Sequence, residues 1–362
     1  MQAERLRGEE ARRLAPLRRG WAALRAGQER HRPAVLSLLV LAACLLPWSP
    51  LGTPFVVHVA ILVMLYMVLA LGLNVVPGFT GLLDLGFVGF YGIGAYTAGL
   101  LTLRFAGADG WTGWLGSFWV ILPLAALHGA LWGVLLGAPT LRLTGDYFAI
   151  VTFGFSELVV LIITNEVWLT RGPMGLPGIA PPSLGGYVFG SNLSMYYLIL
   201  GMVCFTVLVM HRLAESRLGR AWFAIREDQV AAQTCGINLL TYKVIAFAIS
   251  AAFGAMAGSF FARWIQFISP NMFKFWESIF ILCMIVLGGM GGIVGTMLGA
   301  ALLITLSEVL RVVLPPALVG ARFLLFGLIL VLLMRYRPGG LVPSAQPPRG
   351  RRVARGRRGE AL

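Results

Sequence analysis

The sequence predicts an all-α polytopic membrane protein with about ten transmembrane helices, in a range of about eight to ten. Three observations carry that expectation. Of 362 residues, 58% are hydrophobic and only 12% are charged, where soluble domains carry about 25% charged residues. The apolar residues come in runs close to the roughly 20 needed to cross a bilayer. The formal charge of +14 is concentrated in the two tails and one central loop, a pattern that reports orientation in a membrane. No nucleic-acid partner is therefore expected, despite the basic balance.

Residues 1–32 form an arginine-rich tail, expected to be cytosolic. It is too long and too charged for the n-region of a cleaved signal peptide, and no small-residue cleavage site follows the apolar run near Cys44. Leu17, Trp21 and Leu24 would share one face if the tail lay as a helix on the membrane surface; a partly disordered tail fits the composition equally well. A transmembrane domain is expected over 33–340. Its apolar runs are 34–49, 55–76, 83–103, 118–138, 146–165, 194–212, 243–262, 277–290, 293–313 and 320–334. The first and eighth are short for a crossing, so each is tilted, broken or re-entrant. Residues 341–362, rich in Pro, Gly and Arg, read as a disordered basic tail that either holds anionic lipid headgroups or simply fixes topology.

Alternating sides from a cytosolic start puts 23 of the 29 lysines and arginines inside. Only Arg104, Arg171, Arg263, Lys274, Arg311 and Arg322 fall outside. That bias supports cytosolic termini at both ends. It tests the parity of the crossings more than their number, because losing an adjacent pair leaves most of the bias intact.

The longest polar interruption runs from Arg212 to Lys243, and its core, 213–242, is expected to be a cytosolic loop. Within it, Glu227 and Asp228 lead into QVAAQTC, and Gly236 follows. Acids favour the positive start of a helix and a glycine just past its end accepts the left-handed cap, so a short helix of about two turns is predicted. Ala231 and Ala232 project almost nothing and would let that helix approach another protein closely. An ordinary solvated loop with a chance helix is the alternative. On the opposite side, the Pro- and Gly-rich loop 166–193 is either a contact for an external protein or a plain surface loop.

Small residues four apart give helices a flat face for close packing in a bilayer. Ser250, Gly254 and Gly258 form one such file, with Ala251, Ala255 and Ser259 beside it; Gly291, Gly295 and Gly299 form another, and Gly86, Gly89 and Gly92 recur every three residues. Ionisable groups inside apolar runs are functional candidates by default. Asp84 lies near the start of the third run and Glu157 in the middle of the fifth, with Asn74, Thr80, Thr152 and Ser156 nearby and His128 in the fourth. They either line a solvated pathway for a zwitterionic solute, or cap helices and pair with buried partners.

The chain carries no phosphate-cradling G-K-S/T, no H-E-x-x-H and no G-x-S-x-G, and its four histidines and four cysteines are scattered. No catalytic residue, metal site or bound cofactor is expected, and the chain cannot be its own ATPase by that route. An ion-coupled carrier using Asp84, Glu157 or His128 remains a second class, but it gives the central loop helix no purpose.

GRAWFAIREDQVAAQTCGIN in the central loop resembles the cytoplasmic coupling loop of the branched-chain amino-acid permeases of ABC importers. Ala231, Ala232 and Gly236 keep the spacing of the E-A-A-x-x-x-G coupling motif, while Val230 stands where that motif has its glutamate. LNVVPGFTGLLDLGFVGFYGIGAYTAGLL, LRLTGDYFAIVTFGFSEL, RGPMGLPGI, AFAISAAFGAMAGSF and SIFILCMIVLGGMGGIVGTMLGAALL are similar to other blocks of the family, extending the likeness over about 55–340. The pattern is closer to the M-type member of the paired permeases. The resemblance implies a type II importer permease in the bacterial inner membrane. Its partners would be two ABC ATPases that bind ATP and Mg, a second permease subunit, an external amino-acid-binding protein and membrane lipids. Leucine, isoleucine or valine would be the solutes, with urea and short amides, or other amino acids, as the alternative cargo.

Overall fold

In a computed structural model the described residues are 44, 46–48, 53–105, 116–140, 146–184, 187–313, 327–328, 331, 335 and 339–342. The N-terminal tail and most of the expected first and tenth apolar runs lie outside them. The chain divides into two compact units, 1–56 and 57–362; in the first, Leu46–Trp48 form a turn of 3-10 helix.

The described helices are α1 (Pro54–Leu73), α2 (Phe87–Arg104), α3 (Phe118–Thr140), α4 (Asp146–Asn165), the single turn α5 (Val167–Thr170), α6 (Asn192–Glu215), α7 (Arg217–Glu227), α8 (Gln229–Thr234), α9 (Leu239–Ile265), α10 (Phe275–Gly288) and α11 (Ile293–Val313). A π-helical stretch, Val75–Thr80, carries α1 on to Gly81. Four two-residue strands join them: β1 (Leu176–Pro177), β2 (Ser183–Leu184), β3 (Tyr187–Val188) and β4 (Phe267–Ile268). Seven spans among the described residues are long and apolar enough to cross a membrane. The short eighth run gains length at its front, where a 3-10 turn at Pro270–Phe273 extends the α10 span to Pro270–Gly288.

Helix α2, the third expected run, is not among those seven, because Tyr91, Tyr96, two threonines and four glycines dilute its hydropathy. Its position explains the composition. Only Arg104 of its side chains is exposed, and the rest are wrapped by α9, α3 and α4. A helix that meets protein on every side does not need a lipid-compatible surface.

The pillar of the fold is α9, and its small residues act on two faces. Toward α2, a methyl on Gly94 would lie 2.0 Å from the Ala255 carbonyl oxygen, and one on Gly258 would lie 2.1 Å from that of Tyr91. Gly254 faces Phe87 and Phe90, and Ser250 is buried in the same file. Toward α3, Ala251 and Ala255 receive Gly133 and Gly129. Backbones in such contact gain dispersion that larger side chains would prevent. Helices α10 and α11 close as a hairpin in the same way: Gly295 lies against Gly288, and Gly299 against Met284. Gly291 does not belong to that file. It sits in the turn between the two helices with φ of 84°, a left-handed conformation that glycine alone adopts without strain.

Hydrogen bonds sort the turns into two ends. At one end, Arg226 of α7 reaches Gly78, the 289–292 turn meets Asn74, and Leu341 and Val342 bond back to the carbonyls of Leu287 and Gly288. The domain boundary expected after residue 340 therefore falls inside an anchored stretch. At the other end, β1 pairs antiparallel with β4, β2 with β3, and Arg263 donates to the Gly116 carbonyl at 2.6 Å. The loop 166–193 is thus pinned to the segment after α9, with Trp168 and Met174 left more than 80% exposed.

Candidate functional site

The central loop folds as two helices meeting at Asp228. Helix α7 is strongly amphipathic: Ala221, Trp222 and Ile225 are buried, while Glu227 is exposed. Trp222 stacks on Phe79 at 6.2 Å between ring centroids and donates its Nε1–H to the Tyr242 carbonyl at 2.8 Å. This ties the loop to the end of α1 and the start of α9. Asp228 ends α7 and starts α8, its Oδ1 accepting from the N–H groups of Val230 (2.8 Å) and Ala231 (3.0 Å). At the far end of α8, Gly236 has φ of 82°, its N–H donates to Gln233, and the Ile237 N–H donates to Ala232. That paired pattern is a Schellman cap. A six-residue helix, too short to persist alone, is thereby closed at both ends.

The two alanines of α8 differ in burial. Ala231 is exposed beside Val230, which is 72% accessible, whereas Ala232 is buried against the chain. The close-approach surface is therefore Val230, Ala231 and Gly236 with the adjoining polar Gln233 and Thr234, and Ala232 serves the inner packing. Lys243 is buried at the start of α9 and donates to Gln229 at 2.9 Å, bracing α8 from below.

Behind α7 lies a junction of four residues from three segments. Arg226 Nη1 donates to the Gly78 carbonyl at 2.5 Å, and the Gly291 N–H donates to Asn74 Oδ1 at 2.9 Å. A methyl on Gly78 would lie 2.7 Å from the Gly291 nitrogen, and one on Gly291 would lie 2.7 Å from Arg226 Nη1. Arg226 takes part in no ion pair among the described residues. Its charge faces the carbonyl end of the α1 segment, where a cation is favoured.

The polar residues expected along a pathway separate into two groups. Asn74, Thr80, Asp84, Thr152 and Ser156 are all buried. Thr80 donates to Val76, Thr152 to Ala149 and Ser156 to Phe153, each within its own segment. Asp84 Oδ1 accepts the Gly86 N–H at 2.8 Å, closing a turn just ahead of α2 without capping the helix itself, while Oδ2 is buried without a partner among the described residues. Glu157 differs. It is exposed midway along α4 and, with Gly154, Leu158, Val160, Leu161 and Thr164, lines a shallow groove of about 400 Å³. His128 is held at both ring nitrogens: Thr97 Oγ1 donates to Ile93, so His128 Nδ1–H donates to Thr97 at 2.8 Å while Nε2 accepts from Trp132 at 2.9 Å.

Two residues escape reasoning from sequence. Glu277, at the edge of the eighth run, accepts from the Tyr66 hydroxyl at 2.8 Å inside the helical body. Arg226 reads as one more loop arginine. For Glu277 the available signal is an acid adjoining an apolar run; for Arg226 nothing in the spacing marks a contact 148 residues away.

Seven spans long and apolar enough to cross a membrane, with one capped, exposed helix fastened to the helical body, define a class: a polytopic membrane protein. The comparisons specify it. Residues 55–334 match the family model for the permease component of branched-chain amino acid transport systems, and the chain belongs to that family. It is 40% identical to the high-affinity branched-chain amino acid transport system permease protein LivM of Escherichia coli K12, over 86% of this chain and 75% of that protein. It is 29% identical to the corresponding LivH permease protein of the same strain, over 66% of this chain and 79% of LivH. It is 26% identical to the autoinducer 2 import system permease protein LsrC of Salmonella paratyphi B, over 54% and 58%. No solved structure matches the chain.

Proposed function

We propose that this chain is one of two paired permeases of an ABC importer that carries leucine, isoleucine and valine across the bacterial inner membrane. The solute assignment rests on the likeness to LivM, which is higher and spans more of the chain than the likeness to the autoinducer importer. The likeness to LivH supports a paralogous second permease. Two cytosolic ATPases, holding ATP and Mg, supply the work, and an external binding protein delivers the solute. The loop end of the molecule is the cytosolic end in this reading, and both termini lie there.

The observation that carries the mechanism is α8, rigidly capped at Asp228 and Gly236 yet exposed along Val230 and Ala231. Such a helix fits a groove in a partner and moves as one body when that groove moves. ATP-driven closure of the ATPase pair shifts α8, and α7 passes the shift to α1 and α9 through Trp222. The packed helices then exchange outward-open and inward-open arrangements, with populations set by the nucleotide state of the partner. Glu157 belongs to the pathway in this reading. A charged group at mid-span facing lipid costs about 2.5–3.5 kcal/mol or more, so its face of α4 is covered by the second permease or by the solvated route between the two.

Reconstitution of the chain with its paired permease, ATPases and binding protein in proteoliposomes tests the assignment. ATP-dependent accumulation of labelled leucine, isoleucine and valine is expected. Transport of urea or short amides in their place would move the solute class, and uptake driven by an ion gradient without ATPase would overturn the reading.

A further inference from the structure

We propose that Arg226 is a positioning residue for transport: a strut that passes the movement of α8 to two separate membrane elements at once. Those elements are the broken end of α1 and the α10–α11 turn. The proposal rests on the coupling role of α8 given above and adds a route for the motion.

Three features lead here. First, the contact is made to backbone. Arg226 holds the Gly78 carbonyl, in a stretch where the α1 helix has loosened into π geometry around Pro77. A loosened helix end can change its winding without breaking a regular ladder. Second, the neighbours leave no slack. Gly78 and Gly291 are so close that neither could carry a side chain, and a methyl on Gly81 would lie 3.1 Å from Arg226 Cγ. Third, the two membrane elements are tied to each other by the Asn74 side chain, which bonds the Gly291 N–H across 217 residues of sequence. Arg226 thus touches a pair already linked, and pushing one displaces both.

Trp222 and Phe223 also bring α7 against Phe79, but rings in van der Waals contact resist compression and not withdrawal. Arg226 supplies the bond that works in tension. It lies two residues before Asp228, the cap of α8, so the docking helix and the strut share one rigid corner.

The test uses the full complex in proteoliposomes, with assembly, ATPase activity and solute uptake measured side by side. Hydrogen bonds to charged groups are strong enough that losing one changes an equilibrium by about tenfold or more. For Arg226→Ala we expect uptake per ATP hydrolysed to fall about tenfold while ATPase co-purification and basal hydrolysis stay at wild-type level, with Arg226→Lys restoring a substantial part. Uptake per ATP unchanged in Arg226→Ala overturns the strut. Loss of ATPase co-purification also overturns it, because Arg226 would then belong to the docking surface.

A second variant works if Arg226→Ala fails to accumulate. A Cβ at Gly81 would lie 3.6 Å from the Cβ of Arg226, within the range a disulfide spans. Gly81 has φ of 75°, where any side chain is strained, so Gly81→Cys alone sets the baseline. In a background without native cysteines, adding Arg226→Cys should uncouple transport relative to that baseline when reduced and restore it to the baseline when oxidised. Baseline coupling in the reduced form, or none regained in the oxidised form, removes the strut. If α8 itself does not dock on the ATPase, co-purification fails for Ala231→Trp as little as for wild type, an outcome distinct from every result at Arg226.

Discussion

Replacing Gly94 by alanine tests the account of how these helices are held together. The new methyl would lie 2.0 Å from the Ala255 carbonyl oxygen and 2.3 Å from its Cα. Both are backbone atoms of a helix and cannot rotate aside. Since unstrained contact begins near 3.4 Å, α2 and α9 must part by about 1.4 Å at the crossing, and a gap of even 0.5–1 Å already forfeits about a quarter to a half of each contact's attraction. Overpacking costs about 1–3 kcal/mol, and the upper end is expected here because the clash is with main chain. The control is Gly201→Ala on the open face of α6, where nothing lies within 4 Å and better helix propensity should help by up to about 1 kcal/mol. Reversible unfolding of the purified chain in lipid bicelles measures both. Equal stability of the two variants would refute the close-packed crossing.

Two further predictions concern the functional surfaces. Ala231→Trp adds bulk to the exposed face of α8 without touching its caps, so ATPase co-purification should weaken and uptake should fall while membrane abundance holds; wild-type uptake with normal co-purification would argue against docking there. Glu157→Gln removes charge from the open face of α4 and should lower uptake at unchanged abundance, and uptake equal to wild type would take Glu157 out of the pathway.

Much of the fold is legible because bilayer chemistry is coarse. Eight of the ten apolar runs coincide with described helices, from α1 to α11. The small-residue file at Ser250, Gly254 and Gly258 meets α2 because flat faces have few other uses in lipid. Legibility fails where a residue type has two uses. Gly291 matches the four-residue spacing of Gly295 and Gly299, yet its left-handed φ makes it a turn residue. Ala231 and Ala232 are neighbours in sequence, but a helix sends them about 100° apart, so only Ala231 faces outward. Thr152, Ser156 and Glu157 lie within six residues on α4. Thr152 and Ser156 are buried where α4 packs against Gly86 and Gly89 at the start of α2, and the acid is exposed. Nothing local reveals that difference, because it depends on where α2 packs. Arg226 and Asn74 are the extreme case: their roles exist only once distant turns are brought to one end.

Cys235 offers the most direct check of the central claim, that α8 is a cytosolic surface engaged by an ATPase. Of the described cysteines, only Cys235 is exposed, at the cap of α8; Cys44, Cys204 and Cys283 are partly covered. A membrane-impermeant maleimide should label it in inside-out vesicles and not in intact spheroplasts, and bound ATPase should protect it. Labelling from the external side, or labelling at the same rate with and without the ATPase, would contradict the account.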